Sequence, residues 1–159
     1  MLMTFLYVAI GALFIYALKR AFSGTTGTSV AGNIEAGAQF LEENKSKEGV
    51  IETESGLQYL PLQAGTGTVH PGPKTNVLAH YHGSLIDGTV FDSSVDRGQP
   101  LEFGLNQVIR GWTEGLQLMV EGEKVRLFIP SKLGYGNRPA GSIPAGSVLI
   151  FDVELIAIH

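Results

Sequence analysis

The chain has 159 residues, 44% of them hydrophobic, which is enough for one domain of ordinary size with its own core. Its net charge of −4 argues against binding to nucleic acid, which requires clustered lysine and arginine. The sequence has no cysteine, and this excludes disulfides, thiolate nucleophiles and cysteine-ligated metals while leaving the compartment open. The 21 glycines and 7 prolines indicate many tight turns and therefore short strands.

The first segment, residues 1–20, is predicted to be a membrane anchor. Residues 5–18 are almost wholly apolar, and the run ends abruptly at Lys19 and Arg20. Eighteen uncharged residues would form a helix of roughly 27 Å, close to a hydrocarbon core of about 30 Å. A cleaved signal peptide is the alternative, but it would need a basic segment before the apolar run and a small-residue cleavage site after it. The two basic residues favour a cytoplasmic domain, with the periplasm as the alternative.

Two segments of different composition follow the apolar run. Glycine, serine and threonine dominate residues 21–32, which predicts a flexible linker. Residues 33–49 carry apolar side chains at helical spacing, with Asn33 as the expected N-cap and Gly49 as the expected stop. We therefore expect a short amphipathic helix before the main domain.

From residue 50 onward apolar and polar residues alternate, which is the pattern of half-buried strands. Asp87-Gly88 is a hairpin signal, and the apolar residues between Ile109 and Met119 recur at the spacing of one amphipathic helix. Strands are expected over residues 50–53, 57–63, 77–82, 89–92, 101–105, 124–130 and 147–158. The expected fold class is therefore α+β, with an antiparallel, twisted sheet wrapped around one short helix.

Five short stretches carry a resemblance to a known family. They are AHYHG at residues 79–83, DGTVFDSS at 87–94, VIRGWTEG at 108–115, LGYG at 133–136 and LIFDVEL at 149–155. In this order and spacing they resemble the FKBP-type peptidyl-prolyl cis/trans isomerases, over about residues 50–158. The segment 36–49 is similar to the helix that precedes this domain in the bacterial Mip-like branch. The resemblance implies an FKBP-like half-barrel sheet, with the isomerase domain at residues 50–159.

The resemblance also implies a pocket of aromatic and apolar residues with a few polar groups at its rim. Asp92, oriented by Tyr81 and Arg97, would sit beside the twisting carbonyl of the substrate. The backbone N–H of Ile109 and the hydroxyl of Tyr135 would hold the substrate backbone. The other substrate-binding residues, including Trp112 as the floor beneath the prolyl ring, would be Phe91, Leu101, Phe103, Val108, Trp112, Ile143 and Phe151.

Several of these residues could instead have a purely structural role. Trp112 on an amphipathic helix, and Phe103 and Phe151 in alternating strands, are of the type that usually belongs to a core. Asp92, within Phe-Asp-Ser-Ser, could instead be a turn residue.

Two further features concern ligands and specificity. His80 and His82 lie on one strand face, but no third ligand accompanies them at a recognisable spacing, so a solvated face is expected and no metal site. The loop 137–142 would overhang the pocket and varies within the family. Substrate preference therefore cannot be carried over from the resemblance.

The expected activity is isomerisation of X-Pro bonds in folding polypeptides, without metal, nucleotide or other cofactor. By resemblance, tacrolimus or rapamycin should bind the same pocket. A second hypothesis is a membrane-tethered module or chaperone that binds proline-containing segments with little turnover. A hydrolase is excluded, because no nucleophile and base accompany a strained glycine elbow. The expected location is a bacterial membrane, with a single span.

Overall fold

The computed structural model of the chain describes residues 29–159. The predicted membrane anchor, residues 1–20, and most of the predicted linker, residues 21–32, lie outside the described residues. Between residues 29 and 159, no helix combines the length and the apolar character needed to cross a bilayer.

A seven-stranded antiparallel sheet forms the centre of the domain. Its strands are β1 (Ile51–Glu52), β2 (Gln58–Gln63), β3 (Asn76–Ser84), β4 (Val90–Ser93), β5 (Leu101–Gly104), β6 (Lys124–Ile129) and β7 (Leu149–Ile158). The spatial order is β1-β2-β6-β7-β3-β4, and β5 also pairs with β3. Burial alternates along β3 and β7, so one face of the sheet points to the core and the other points outward.

The inner face of the sheet packs against α3 (Arg110–Gln117), the helix predicted from apolar spacing. Trp112 on α3 is fully buried. Gly115 permits a close approach of α3 to β6, because a Cβ at this position would lie 2.8 Å from Leu127 Cδ1. The predicted α+β arrangement, an antiparallel sheet with one short helix packed on its inner face, is confirmed by the structure.

The first described helix, α1 (Val30–Asn44), differs in its bounds from the predicted residues 33–49. Its N-cap is Ser29, whose Oγ accepts the backbone N–H of Gly32 at 3.1 Å. Asn33, the expected cap, lies inside the first turn and donates its side-chain amide to a loop carbonyl at 2.9 Å. The helix begins earlier than predicted because a serine at the end of the polar segment offers the same capping chemistry as asparagine.

Helix α1 packs on the outer face of the sheet through a buried amide pair. The Nδ2 of Asn44 donates to Oε1 of Gln58 at 2.8 Å, and the Nε2 of Gln58 donates to the carbonyl of Leu41 at 2.8 Å. Both amide side chains are almost completely shielded from solvent. Phe40 packs beside Phe128 of β6, with ring centroids 6.1 Å apart. These contacts attach α1 to the domain.

The hairpin predicted at Asp87-Gly88 joins β3 to β4, and Gly88 adopts the positive φ of 88° that such a turn requires. After β4 the chain forms a one-turn helix, α2 (Ser94–Arg97). Apolar periodicity does not predict α2, because four residues are too few to show a period.

Candidate active site

A polar cluster of three side chains lies at one end of the inner face. The phenol of Tyr81, on β3, donates to Oδ2 of Asp92, on β4, at 2.6 Å. Arg97 donates from Nη1 to Oδ1 of Asp92 and from Nη2 to the oxygen of Tyr81 at 2.9 Å. The Arg97 and Asp92 side chains are 17% and 12% exposed. Both carboxylate oxygens of Asp92 are therefore held in place, which fixes the direction of this charge.

The turn of α2 brings Arg97 back to Asp92. Ser93 caps α2 by accepting the N–H of Asp96 at 3.1 Å, and Gly98 ends it with a left-handed φ of 70°. A serine cap followed one turn later by glycine is the sequence signal for such a short helix. The ion pair is thus local along the chain, while Tyr81 reaches the same carboxylate from another strand.

A cluster of aromatic rings lies beside the polar one. The indole of Trp112 contacts Tyr81, Phe103 and Phe151, with centroid distances of 5.3, 5.2 and 5.2 Å. Phe91 meets Phe151 edge to face at 5.3 Å. Aromatic pairs in such geometry stabilise the fold by more than the burial of their surface area alone. The structure therefore brings these five predicted residues together.

Exposure separates the predicted residues into two layers. Tyr81, Trp112 and Phe151 are fully buried, and Phe103 and Ile143 are nearly so. The half-buried residues that pack against them are Phe91, Leu101, Val108, Ile109 and Tyr135. Because Trp112 is sealed behind its neighbours in this structure, its role as the pocket floor stays a prediction.

Ile109 and Ile143 owe their positions to local backbone structure. Ile109 is the N-cap of α3, and its carbonyl accepts the N–H of Trp112 at 3.0 Å. Ile143 forms a two-way backbone pair with Ala140, at 3.0 and 2.9 Å, within the loop that carries residues 137–142. The loop thereby folds onto the core and does not extend freely into solvent.

The two tyrosines of the site both stay protonated at neutral pH. Burial raises the pKa of Tyr81, and its hydrogen bond to Asp92 raises it further. Burial is also the main cause that raises the pKa of Tyr135, with the negative charge of Asp92 second. Because both shifts move the pKa away from neutrality, each phenol remains an O–H donor.

The outer face of the sheet, opposite the aromatic cluster, carries a groove. A groove of about 630 Å³ lies between α1 and the outer face, with Phe40, Phe128 and Ile86 among its walls. All the predicted site residues lie away from this groove. Across residues 29–159, no group of three or more His, Cys, Asp or Glu side chains is placed to hold a metal ion.

Sequence reasoning missed the contacts that place α2. His80 lies 2.9 Å from Ser94 Oγ, and His82 lies 3.0 Å from Ser93 Oγ, through Nδ1 in each case. The two histidines therefore contact the start of α2, while the side chain of His82 is still 39% exposed on the strand face that was expected to be solvated. The signal that could have revealed this is the Ser-Ser pair after Asp92, since serine at this place is typical of a helix cap.

Comparison with known proteins identifies the family. The model described as FKBP-type peptidyl-prolyl cis-trans isomerase matches residues 67–156, and the model of the domain amino-terminal to it matches residues 12–60. The chain belongs to the FKBP-type peptidyl-prolyl cis-trans isomerase family, which confirms the resemblance seen in the five stretches. The match to the amino-terminal domain begins inside the predicted membrane anchor.

Within the family, relatives of the chain include FkpA and Mip proteins. The chain is 59% identical to the isomerase FkpA of Aeromonas hydrophila over 127 residues, which are 80% of this chain and 47% of the relative. It is 47% identical to the outer membrane protein MIP of Legionella longbeachae, over 79% of this chain and 54% of the relative. The chain thus spans about half the length of these curated relatives. A crystal structure of an isomerase from Pseudomonas syringae matches with a TM-score of 0.77 and 39% identity, covering 84% of this chain and 98% of that one.

Proposed function

We propose that the chain isomerises X-Pro peptide bonds in folding polypeptides, without covalent chemistry and without a cofactor. The observation that carries the proposal is the carboxylate of Asp92, held at both oxygens by Tyr81 and Arg97 beside a half-buried apolar surface. This arrangement provides a fixed charge and an apolar wall next to each other. Family membership supports the same activity.

The chemistry requires only that the twisted amide bind better than the planar one. Rotation about an amide has a barrier of about 18–20 kcal/mol, while the two ground states of X-Pro differ by about 0.5–1 kcal/mol. Amide resonance places negative charge on the carbonyl oxygen, and twisting removes that charge. A fixed carboxylate beside the oxygen, together with an apolar wall, therefore disfavours the planar forms more than the twisted one.

Other residues would hold the substrate while its amide turns. The proline ring would pack against Phe91, Val108 and Ile109, with Trp112 beneath them. The Tyr135 phenol, which stays protonated, would donate to a substrate carbonyl, and the backbone N–H of Ile109 would donate to another. Holding the groups on both sides of the bond lets rotation occur without release of the chain.

A protease-coupled assay on a short prolyl peptide tests the proposal. We expect the full chain to accelerate isomerisation, and we expect a chelator to leave the rate unchanged. Binding of the peptide without acceleration would instead support a module that holds proline-containing segments. Calorimetry with tacrolimus or rapamycin tests the pocket, since either drug should bind and should compete with the peptide.

We also propose that residues 1–20 insert into a bacterial membrane as a single span. The support is the uncharged apolar run of the sequence, which is followed at once by Lys19 and Arg20. The two basic residues favour a cytoplasmic domain, and the periplasm is the alternative. Fractionation followed by protease treatment of intact cells tests both points, because a domain recovered in the soluble fraction would contradict the span.

A further inference from the structure

The position of α2 (Ser94–Arg97) determines whether Arg97 meets Asp92. Asp92 lies just before α2, and Arg97 is its last residue, so this single turn fixes the separation of the two side chains. A helix of four residues is not stable in water without further contacts, because nucleation of a helix is unfavourable. Helix α2 therefore depends on contacts with the sheet.

Ser94, the first residue of α2, makes such contacts and is fully buried. Its Oγ accepts the N–H of Tyr81 at 2.7 Å and donates to the carbonyl of Tyr81 at 3.2 Å. The paired residues of β3 and β4 end at His82 and Ser93. The next pair along β3 and β4 would join the backbones of Tyr81 and Ser94, and here the Ser94 hydroxyl bonds to the Tyr81 backbone instead. Tyr81 is also the residue whose phenol donates to Asp92.

His80 completes the hydrogen bonding of this hydroxyl, because its Nδ1 lies 2.9 Å from Ser94 Oγ. A hydroxyl has one hydrogen and two lone pairs. One lone pair accepts the Tyr81 N–H, which leaves the hydroxyl hydrogen and the second lone pair for the Tyr81 carbonyl and the Nδ1 of His80. The three contacts are called the Ser94 bridge below.

We infer that Ser94 and His80 are positioning residues for the site: through the Ser94 bridge they hold α2 against β3 and so fix the arrangement of Asp92, Tyr81 and Arg97. Tyr81 connects the two, since its backbone belongs to the bridge and its phenol to the carboxylate. His82 acts in the same sense, because its Nδ1 lies 3.0 Å from Oγ of Ser93, the N-cap of α2. The inference rests on the proposed function, because it gives these residues a role in isomerisation.

Activity of the full chain tests the inference first. We expect Ser94→Ala and His80→Ala each to lower kcat/KM toward a prolyl peptide about tenfold. His80→Asn should recover most of that loss, because its side-chain amide can hydrogen-bond to Ser94 Oγ from a position near that of Nδ1. His70→Ala, at an exposed loop histidine, is the matched control and should leave the rate unchanged. Equal losses in His80→Ala and His80→Asn would overturn the inference.

A double-mutant cycle then distinguishes positioning from general support of the fold. If Ser94 acts through Asp92, adding Ser94→Ala to Asp92→Asn should cause little further loss of activity. Full additivity of the two losses would overturn the inference. Should Ser94→Ala fail to fold, the same cycle with His80→Ala decides the question.

Nuclear magnetic resonance provides a measurement that does not depend on turnover. The Arg97 guanidinium lies 5.7 Å from the centroid of the Tyr81 ring, so its side-chain protons experience the ring current. In His80→Ala we expect these resonances to move toward their values in an unfolded chain, while those of the core residue Leu127 stay in place. An unchanged Arg97 spectrum in a folded variant would overturn the inference. No turnover in the unaltered chain, with Arg97 still responding to His80, would overturn the proposed function alone.

Discussion

The two faces of the sheet bury their residues by different means. On the inner face, the ring of Trp112 packs against those of Phe103 and Phe151, each with its centroid 5.2 Å from that of Trp112, and the cluster excludes water by shape. On the outer face, α1 depends on the Asn44 and Gln58 amides, which are joined at 2.8 Å. Apolar contacts gain free energy in proportion to the area removed from water, whereas a buried amide mainly avoids the penalty of being unpaired. Substitutions on the inner face should therefore lower stability mainly through the side-chain volume that they remove. Substitutions on the outer face should lower it mainly by leaving buried polar groups without hydrogen-bond partners.

The largest effect is expected from truncation on the inner face. Trp112→Ala removes a fully buried indole with three aromatic neighbours, and we expect it to lower the free energy of unfolding by about 3–5 kcal/mol. Denaturant titration measures this, with Tyr59→Ala, a half-buried aromatic on β2, as the control that should cost less. A stable Trp112→Ala protein that no longer binds a prolyl peptide would instead show that Trp112 acts mainly as the pocket floor.

On the outer face, Asn44→Ala leaves the buried amide of Gln58 without one of its partners. We expect a loss of about 1–3 kcal/mol of stability, with activity nearly unchanged in the fraction that remains folded. Gln39→Ala on the exposed side of the same helix is the control, since its bond to Glu43 faces solvent. If Asn44→Ala and Gln39→Ala cost the same, α1 is not held by the amide pair.

At the rim of the inner face, Asp92→Asn removes the charge and preserves the shape. We expect kcat/KM to fall ten- to a hundredfold, equivalent to about 1.4–2.8 kcal/mol of transition-state stabilisation, and we expect Tm to fall as well because Arg97 loses its charged partner. Asp87→Asn, at the exposed hairpin, serves as the control carboxylate. Unchanged activity of Asp92→Asn would mean that Asp92 is a turn residue and that catalysis depends on the apolar wall.

The smallest effect is expected for the ion pair on the outer face. Arg126 and Asp152 pair across β6 and β7 at 2.6 and 3.0 Å, with side chains that are 40% and 34% exposed. Because water screens this pair, Arg126→Gln should cost at most about 1 kcal/mol. Stability measured at low and at high salt checks this, since the difference between the two proteins should shrink as salt is added. A larger, salt-independent loss would show that Arg126 packs as well as pairs.

The inner face could be predicted from the sequence because its elements are long enough to show a period. The alternation along Val77, Ala79 and Tyr81 gave β3 and its buried face, and the apolar spacing around Trp112 gave α3. The grouping of Asp92, Tyr81 and Arg97 came from family resemblance, since the residue pattern alone allowed Asp92 to be a turn residue. The structure brings the three side chains into contact.

The parts that were missed depend on single polar contacts, which leave no periodic signal. The start of α1 is set by Ser29, although Asn33 has the same capping ability. The roles of Ser94 and His80 require knowing that β4 gives way to α2 beside Tyr81. Sequence patterns report which face of an element is buried, but they do not report which hydroxyl meets which backbone group.

The order of the strands also has a consequence for how the domain folds during its synthesis on the ribosome. Strand β7 lies between β6 and β3, and it pairs Val77 with Ile158, residues far apart along the chain. Until residue 158 has been translated and has left the exit tunnel, β3 and β6 each lack a neighbour and present an unpaired edge. Such non-local pairing slows folding and prolongs the exposure of aggregation-prone strands. The nascent domain must therefore remain incomplete until nearly all of the described sequence has emerged.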